Sequence, residues 1–134
     1  MANSTPQRKK EAHVLLIAYE HIIRDILARM LTERGHTVVT CAIGRDGIRK
    51  FGKGKKGFDV VMSDIALPGI SGFGVAKQIK KMSKETPIVL LKGPDKELDR
   101  DEFKKSGADL VISRPLSVHN AVHLVEGLIG MDKG

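Results

Sequence analysis

Three short apolar runs constrain this chain more than any other feature: His13-Val-Leu-Leu-Ile17, Phe58-Asp-Val-Val-Met-Ser-Asp64 and Pro87-Ile-Val-Leu-Leu91. Each is too short for a typical helix, and none shows the polar alternation of a strand with one wet face. Unbroken apolar character over three to five residues is what a parallel strand covered on both faces shows. A chain with several such strands must supply helices for both sides of the sheet. Helical periodicity is therefore expected between them.

Ile22, Ile23, Ile26, Leu27, Met30 and Leu31 recur at helical spacing, and Gly35 sits where a C′ glycine would end that helix. Thr37-Val-Val-Thr-Cys41 is short and β-branched, hence a strand. Residues 45–51 form a short helix followed by the loop 52–57, residues 59–63 a third strand and 73–82 a third helix. Residues 87–91 and 110–112 are the last two strands, with a polar helix over 99–106 between them. Ser117 is placed to cap a final helix whose Val118, Ala121, Val122, Val125, Leu128 and Ile129 form its core stripe. Five strands, each followed by a helix, predict an α/β doubly wound parallel sheet in a three-layer sandwich with right-handed crossovers.

Composition narrows the class further. The 134 residues suit a single domain. The expected organisation is a basic N-terminal tail over 1–12, one domain over 13–130 and a short tail over 131–134. No apolar run approaches a membrane span, and the polar start of the chain lacks the apolar core of a secretory signal. The single cysteine, Cys41, excludes an internal disulfide, in keeping with a cytoplasmic setting. The net charge of +7 is concentrated around Lys9, Lys53 to Lys56, Lys77 to Lys84 and Lys104-Lys105. Lysines on solvated helix faces account for that excess. The lack of an aromatic platform or recognition helix argues against a nucleic-acid-binding module.

Asp64 is the focus of the chemistry. The second of these apolar runs, the third strand, ends on this carboxylate, and Ile65-Ala-Leu-Pro-Gly-Ile-Ser-Gly72 follows as a turn-rich loop. That arrangement sets one acid at the carboxyl edge of the sheet, where open α/β folds bind ligands. From Asp64 to Gly72, and again in Ser106-Gly-Ala-Asp109 with Ser113-Arg-Pro115, the chain resembles the receiver domains of response regulators, over nearly its whole length. The resemblance implies a flavodoxin-like fold of chemotaxis type, with strand order 2-1-3-4-5 and five helices. It also implies two-component phosphorelay signalling, with Asp64 as the acceptor of a phosphoryl group from a histidine kinase and no enzymatic turnover of an external substrate.

The departures from the family pattern are concentrated at that site. An acidic pair that helps hold magnesium in the family is Ala18 and Tyr19 here, with Glu20 next in line. The hydroxyl residue after strand four is Lys92, and Gly93 follows it. The lysine before the last loop's proline is Arg114, and the aromatic on strand five is Val111. Magnesium prefers octahedral oxygen ligation by carboxylates, phosphate and water. Asp64 is then the one certain carboxylate, with Glu20 as the only other candidate ligand. Glu20 is read here as an exposed first-turn acid that favours the helix dipole. Lys92 and Arg114 are expected to bring cations toward Asp64 as an internal substitute for metal, although Lys92 could equally snorkel to solvent.

The expected function is a divergent, pseudo-receiver type of domain that signals by protein contacts. It would use no cofactor, or magnesium only where Asp64 works as an acceptor. The family's contact face, toward a histidine kinase or a downstream signalling protein, would comprise residues 99–106, 110–112 and 117–130. Whether the chain acts alone or within a larger regulator is left open by the sequence. Other constellations have simpler readings. His119, His123 and Glu126 share a helical face at a spacing that could hold metal, and are read as a solvated face. The glycines of 52–57 and of Gly72-Phe-Gly74 lack the full phosphate-binding and dinucleotide patterns.

Overall fold

The structure, a computed structural model, describes residues 11–54, 57–113, 118–128 and 130. The elements alternate as β1 (His13–Ile17), α1 (His21–Glu33), β2 (Thr37–Cys41), α2 (Gly44–Lys53), β3 (Val60–Asp64), α3 (Gly72–Met82), β4 (Ile88–Lys92), α4 (Arg100–Ser106), β5 (Leu110–Ser113) and α5 (Val118–Leu128). The strands form one sheet in the order β2-β1-β3-β4-β5, with every neighbouring pair parallel. The apolar runs are thus the central strands. All five residues of β3 are buried, whereas Thr37 and Thr40 of edge strand β2 are exposed.

Because successive side chains in a strand face opposite ways, the sheet divides its core in two. Val14, Leu16, Val60, Met62, Val89 and Leu91 point to one layer and meet Leu27 and Leu31 of α1 and Ala121, Val122 and Val125 of α5. Leu15, Ile17, Val61, Ile88 and Leu90 point to the other and meet Val75, Ala76 and Ile79 of α3, with Ile48 and Phe51 of α2 and Phe103 of α4 partly buried around them. Among the described residues no helix is long and apolar enough to cross a membrane.

Several boundaries differ from the sequence reading. α2 continues through Lys53, so the loop expected at 52–57 begins later. β3 and β4 each run one residue further, to Asp64 and Lys92, because the parallel ladder pairs Asp64 with Leu91 and Lys92 with Ser113. The apolar stripe of α1 is only partly core: Ile22 and Ile26 are 60% and 42% exposed. Leu27 and Leu31 are the fully buried members, Ile23 and Met30 pack against the same core in part, and the apolar stripe is wider than the contact. Leu128 of α5 is also exposed, and Ser117 and Ile129 lie outside the described residues. The end of α1 matches expectation in detail. Gly35 has φ 94°, its N–H donates to Thr32 O and the N–H of His36 to Leu31 O, the two bonds of a Schellman closure.

Polar side chains fasten the amino edge of the sheet. The Asp59 carboxylate accepts from the His13 N–H at 2.8 Å, and that of Asp109 from the Ile88 N–H at 2.8 Å. Lys80 donates to the same Asp109 oxygen at 2.9 Å. Gly-Ala-Asp thereby gains a physical meaning: Gly107 ends α4 at φ 80°, Ala108 enters the core and Asp109 joins β4 to α3.

A second knot lies between α1, β2 and α5. Arg34 donates to both oxygens of Glu126 at 2.6 and 2.5 Å, and His36 Nε2 is 2.6 Å from the same carboxylate. His36 Nδ1 accepts from the N–H of Ala12, itself buried, so the Nε2 of His36 carries the proton given to Glu126. Glu126 therefore does not belong to a solvated face with His119 and His123: it is 4% exposed and fully engaged. Among the described residues nothing forms a three-member metal-ligating group, and the His119 side chain lies outside them.

Candidate functional site at the carboxyl edge

The register brings the ends of β1, β3, β4 and β5 together, pairing Ile17 with Ser63, Asp64 with Leu91 and Lys92 with Ser113. Asp64, the last residue of β3, is 3% exposed. One of its oxygens accepts from the backbone N–H of Tyr19 at 3.0 Å. Ser63 is buried, and its hydroxyl donates to the Asp64 carbonyl at 2.9 Å. The loop beyond turns at Pro68 and Gly69, where φ is 79°, then returns so that Gly72 N–H donates to Ile65 O at 2.9 Å. Gly72 is required there. A Cβ at that position would stand 2.2 Å from the Asp64 carbonyl oxygen and 2.8 Å from Ile65 Cα. Ser71 caps α3 by accepting from Gly74 N–H at 3.3 Å, so the loop is fixed at both ends.

On the β1 side, Ala18 is buried while the Tyr19 side chain is 56% exposed. Glu20 is exposed at the N-cap of α1, in extended conformation. Arg24 reaches back to the carbonyls of Ala18 and Tyr19 at 2.8 and 3.2 Å, tethering the segment whose N–H meets Asp64. Sequence reasoning missed Arg24. Its position one turn after Glu20, on the helix facing this edge, was the available signal.

Lys92 is where expectation and structure part. Its ammonium does not pair with Asp64 and stays at the half-exposed rim of the sheet. It donates to the carbonyls of Gly93, at 3.1 Å, and Lys96, stapling the β4–α4 loop to the end of β4. The short loop that follows β4 offers two carbonyls within hydrogen-bond reach of this cation, and these take it in place of the carboxylate one strand away. The proposed balance of two cations against Asp64 therefore loses Lys92, and Arg114, with Pro115, lies outside the described residues.

A cavity of about 220 Å³ opens beside Asp64, lined by Asp64, Ala66, Leu91, Gly93, Pro94, Asp95 and Lys96. The stapled loop forms one wall, and Asp95 and Lys96, neither anticipated from sequence, stand exposed at its rim. The donor set does not suit magnesium. Ala18 supplies no side-chain oxygen, Tyr19 no carboxylate, and Glu20 is exposed at a helix cap. The arrangement offers one buried carboxylate oriented by a backbone donor next to a small, open cavity.

A doubly wound parallel sheet with a buried acid at the carboxyl end of its central strand belongs to the flavodoxin-like class. The sequence matches the response regulator receiver domain over residues 14–126, and the chain belongs to that family. It is 33% identical over 111 residues to the transcriptional regulatory protein TcrA of Mycobacterium tuberculosis, covering 83% of this chain and 43% of the relative. It is 35% identical over 103 residues to AfsQ1 of Streptomyces coelicolor, covering 77% and 44%. The chain thus spans less than half the length of these two regulators. Among solved structures, the chemotaxis protein CheY4 of Vibrio cholerae superposes with a TM-score of 0.79 at 28% identity, covering 87% of this chain and 98% of that one. The response regulator TrrA of Thermotoga maritima, solved in complex with Mg(2+)-BeF, gives 0.77 at 30% identity over 87% and 98%.

Proposed function

We propose that this receiver domain signals by protein contact, from a site at Asp64 that works with little or no magnesium. The observation that carries the reading is the replacement of the metal-holding acids by Ala18 and Tyr19, with the Tyr19 N–H directed at Asp64. A backbone donor partly neutralises a carboxylate without a cation and holds it in one orientation. Contact through α4, β5 and α5, toward a histidine kinase or a downstream signalling protein, is supported by Leu124 and Leu128. These lie one turn apart on α5 and are 46% and 37% exposed.

The alternative is a working acceptor that takes a phosphoryl group on Asp64, as beryllofluoride binding by the TrrA relative suggests. The cavity of about 220 Å³ beside Asp64 favours it. The test is a magnesium titration by calorimetry, followed by beryllofluoride with amide chemical shifts as readout. No saturable isotherm in the millimolar range, and no shift change around Asp64, is the expected result. A saturable isotherm abolished by Asp64→Asn would refute the proposal and establish the acceptor.

A further inference from the structure

The lysines around the ends of α3 and α4 fall into two groups with different tasks. Lys80 is structural: its ammonium donates to Lys84 O, Thr86 O and Asp109, at 3.1, 2.9 and 2.9 Å. Lys81, Lys84 and Lys105 form no ion pair among the described residues. Lys77 has one loose contact, 3.8 Å from Glu102, with both side chains 44% exposed. All five line a groove of about 570 Å³ whose floor includes Ser106.

Helix ends explain only part of this charge. Lysines in a last turn complement the macrodipole, which amounts to roughly half a negative charge per C-terminus. Two such ends offset about one of the three unpaired ammoniums, so the groove stays positive. We propose that it is a docking site for an acidic segment of a partner protein, between the ends of α3 and α4 and sharing only the end of α4 with the face formed by α4, β5 and α5.

The spacing of the lysines suits carboxylates carried on an extended chain. Lys77 and Lys81 are one turn apart on α3, a rise of about 6 Å. Alternate side chains of an extended chain repeat at about 6.6 Å, so acids at every second position meet these ammoniums in step. No aromatic side chain lines the groove, so it offers bases nothing to stack on. A second copy of this chain carries the same net charge of +7 and is repelled.

The test is fluorescence anisotropy at low salt with a short peptide of alternating glutamate and serine, beside single-stranded and duplex DNA. The variant Lys81→Glu/Lys84→Glu/Lys105→Glu is compared with Arg29→Glu/Arg45→Glu/Lys53→Glu, which makes the same charge change at exposed positions elsewhere. Losing and reversing three exposed pairs is expected to weaken peptide binding about tenfold or more, against about threefold or less for the control. The milder Lys81→Gln/Lys84→Gln/Lys105→Gln should weaken it in the same direction, which guards against a folding defect. Equal losses in the two glutamate variants, tighter binding of either DNA, or no saturable peptide binding would each overturn the proposal.

Discussion

Replacing Glu126 by glutamine tests the knot between α1, β2 and α5 with almost no change of shape. Three donors converge on this carboxylate: Arg34 Nε and Nη2, and His36 Nε2. A glutamine amide keeps one acceptor oxygen and turns an NH₂ group toward at least one donor. A hydrogen bond involving a charged group is worth about 1.5–3 kcal/mol, so losing one of the three outright to the amide NH₂ and weakening the other two at a neutral acceptor amounts to about 3 kcal/mol. The half-exposed Arg34 side chain can rehydrate, and an amide is less costly to bury than a carboxylate. The net loss is then about 2 kcal/mol, or roughly 6–10 °C in Tm for a domain of this size.

The pH dependence supplies a second check on the same pair. Hydrogen bonding from Arg34, opposed by burial and helped by His36, holds the Glu126 carboxyl below its ordinary value. A depressed folded pKa gives stability that is fully present above the unfolded value, about 4.3 for glutamate, and lost as pH falls through the folded one. The Tm gap between wild type and Glu126→Gln should be full at pH 7, shrink below about pH 5 and close once both forms are neutral. Thermal melts followed by circular dichroism across the acid range measure it. Combining Glu126→Gln with Arg34→Met should give less than the sum of the two losses. A gap under about 2 °C at pH 7, one that ignores pH, or strict additivity would refute the reasoning.

Gly72→Ala sets two effects against each other. Alanine gains up to about 1 kcal/mol within a helix, but its Cβ would lie 2.2 Å from a backbone oxygen that cannot move alone. Overpacking of about 1–3 kcal/mol should win, so denaturant melts are expected to show a loss, and a stabilised variant would show that the loop yields freely. Lys92→Met removes the loop staple without touching Asp64; hydrogen exchange at residues 93–96 should rise while the β3 amides stay protected. Unchanged exchange in that loop would mean that the lysine holds nothing in place.

What the sequence determined about this protein is what depends on neighbours along the chain. Strand and helix order, the Schellman closure at Gly35 and the position of Asp64 at a strand end all follow from local periodicity and backbone preference, which act over a few residues. The turn after Asp64 is legible for the same reason, since Pro68-Gly69 encodes it directly. What only the tertiary structure decided is which partner each polar side chain meets. Glu126 reads as one acid on a polar helical face until folding brings Arg34 against it from 92 positions away. Lys92 reads as a cation beside Asp64, yet two carbonyls of its own loop lie within reach and take its ammonium. Ile22 and Ile26 carry a core-like period but are exposed, because the width of the contact between α1 and the sheet is fixed by neighbouring layers. Periodicity reports which face of an element is apolar; only packing decides how much of that face, and which charges beside it, are covered.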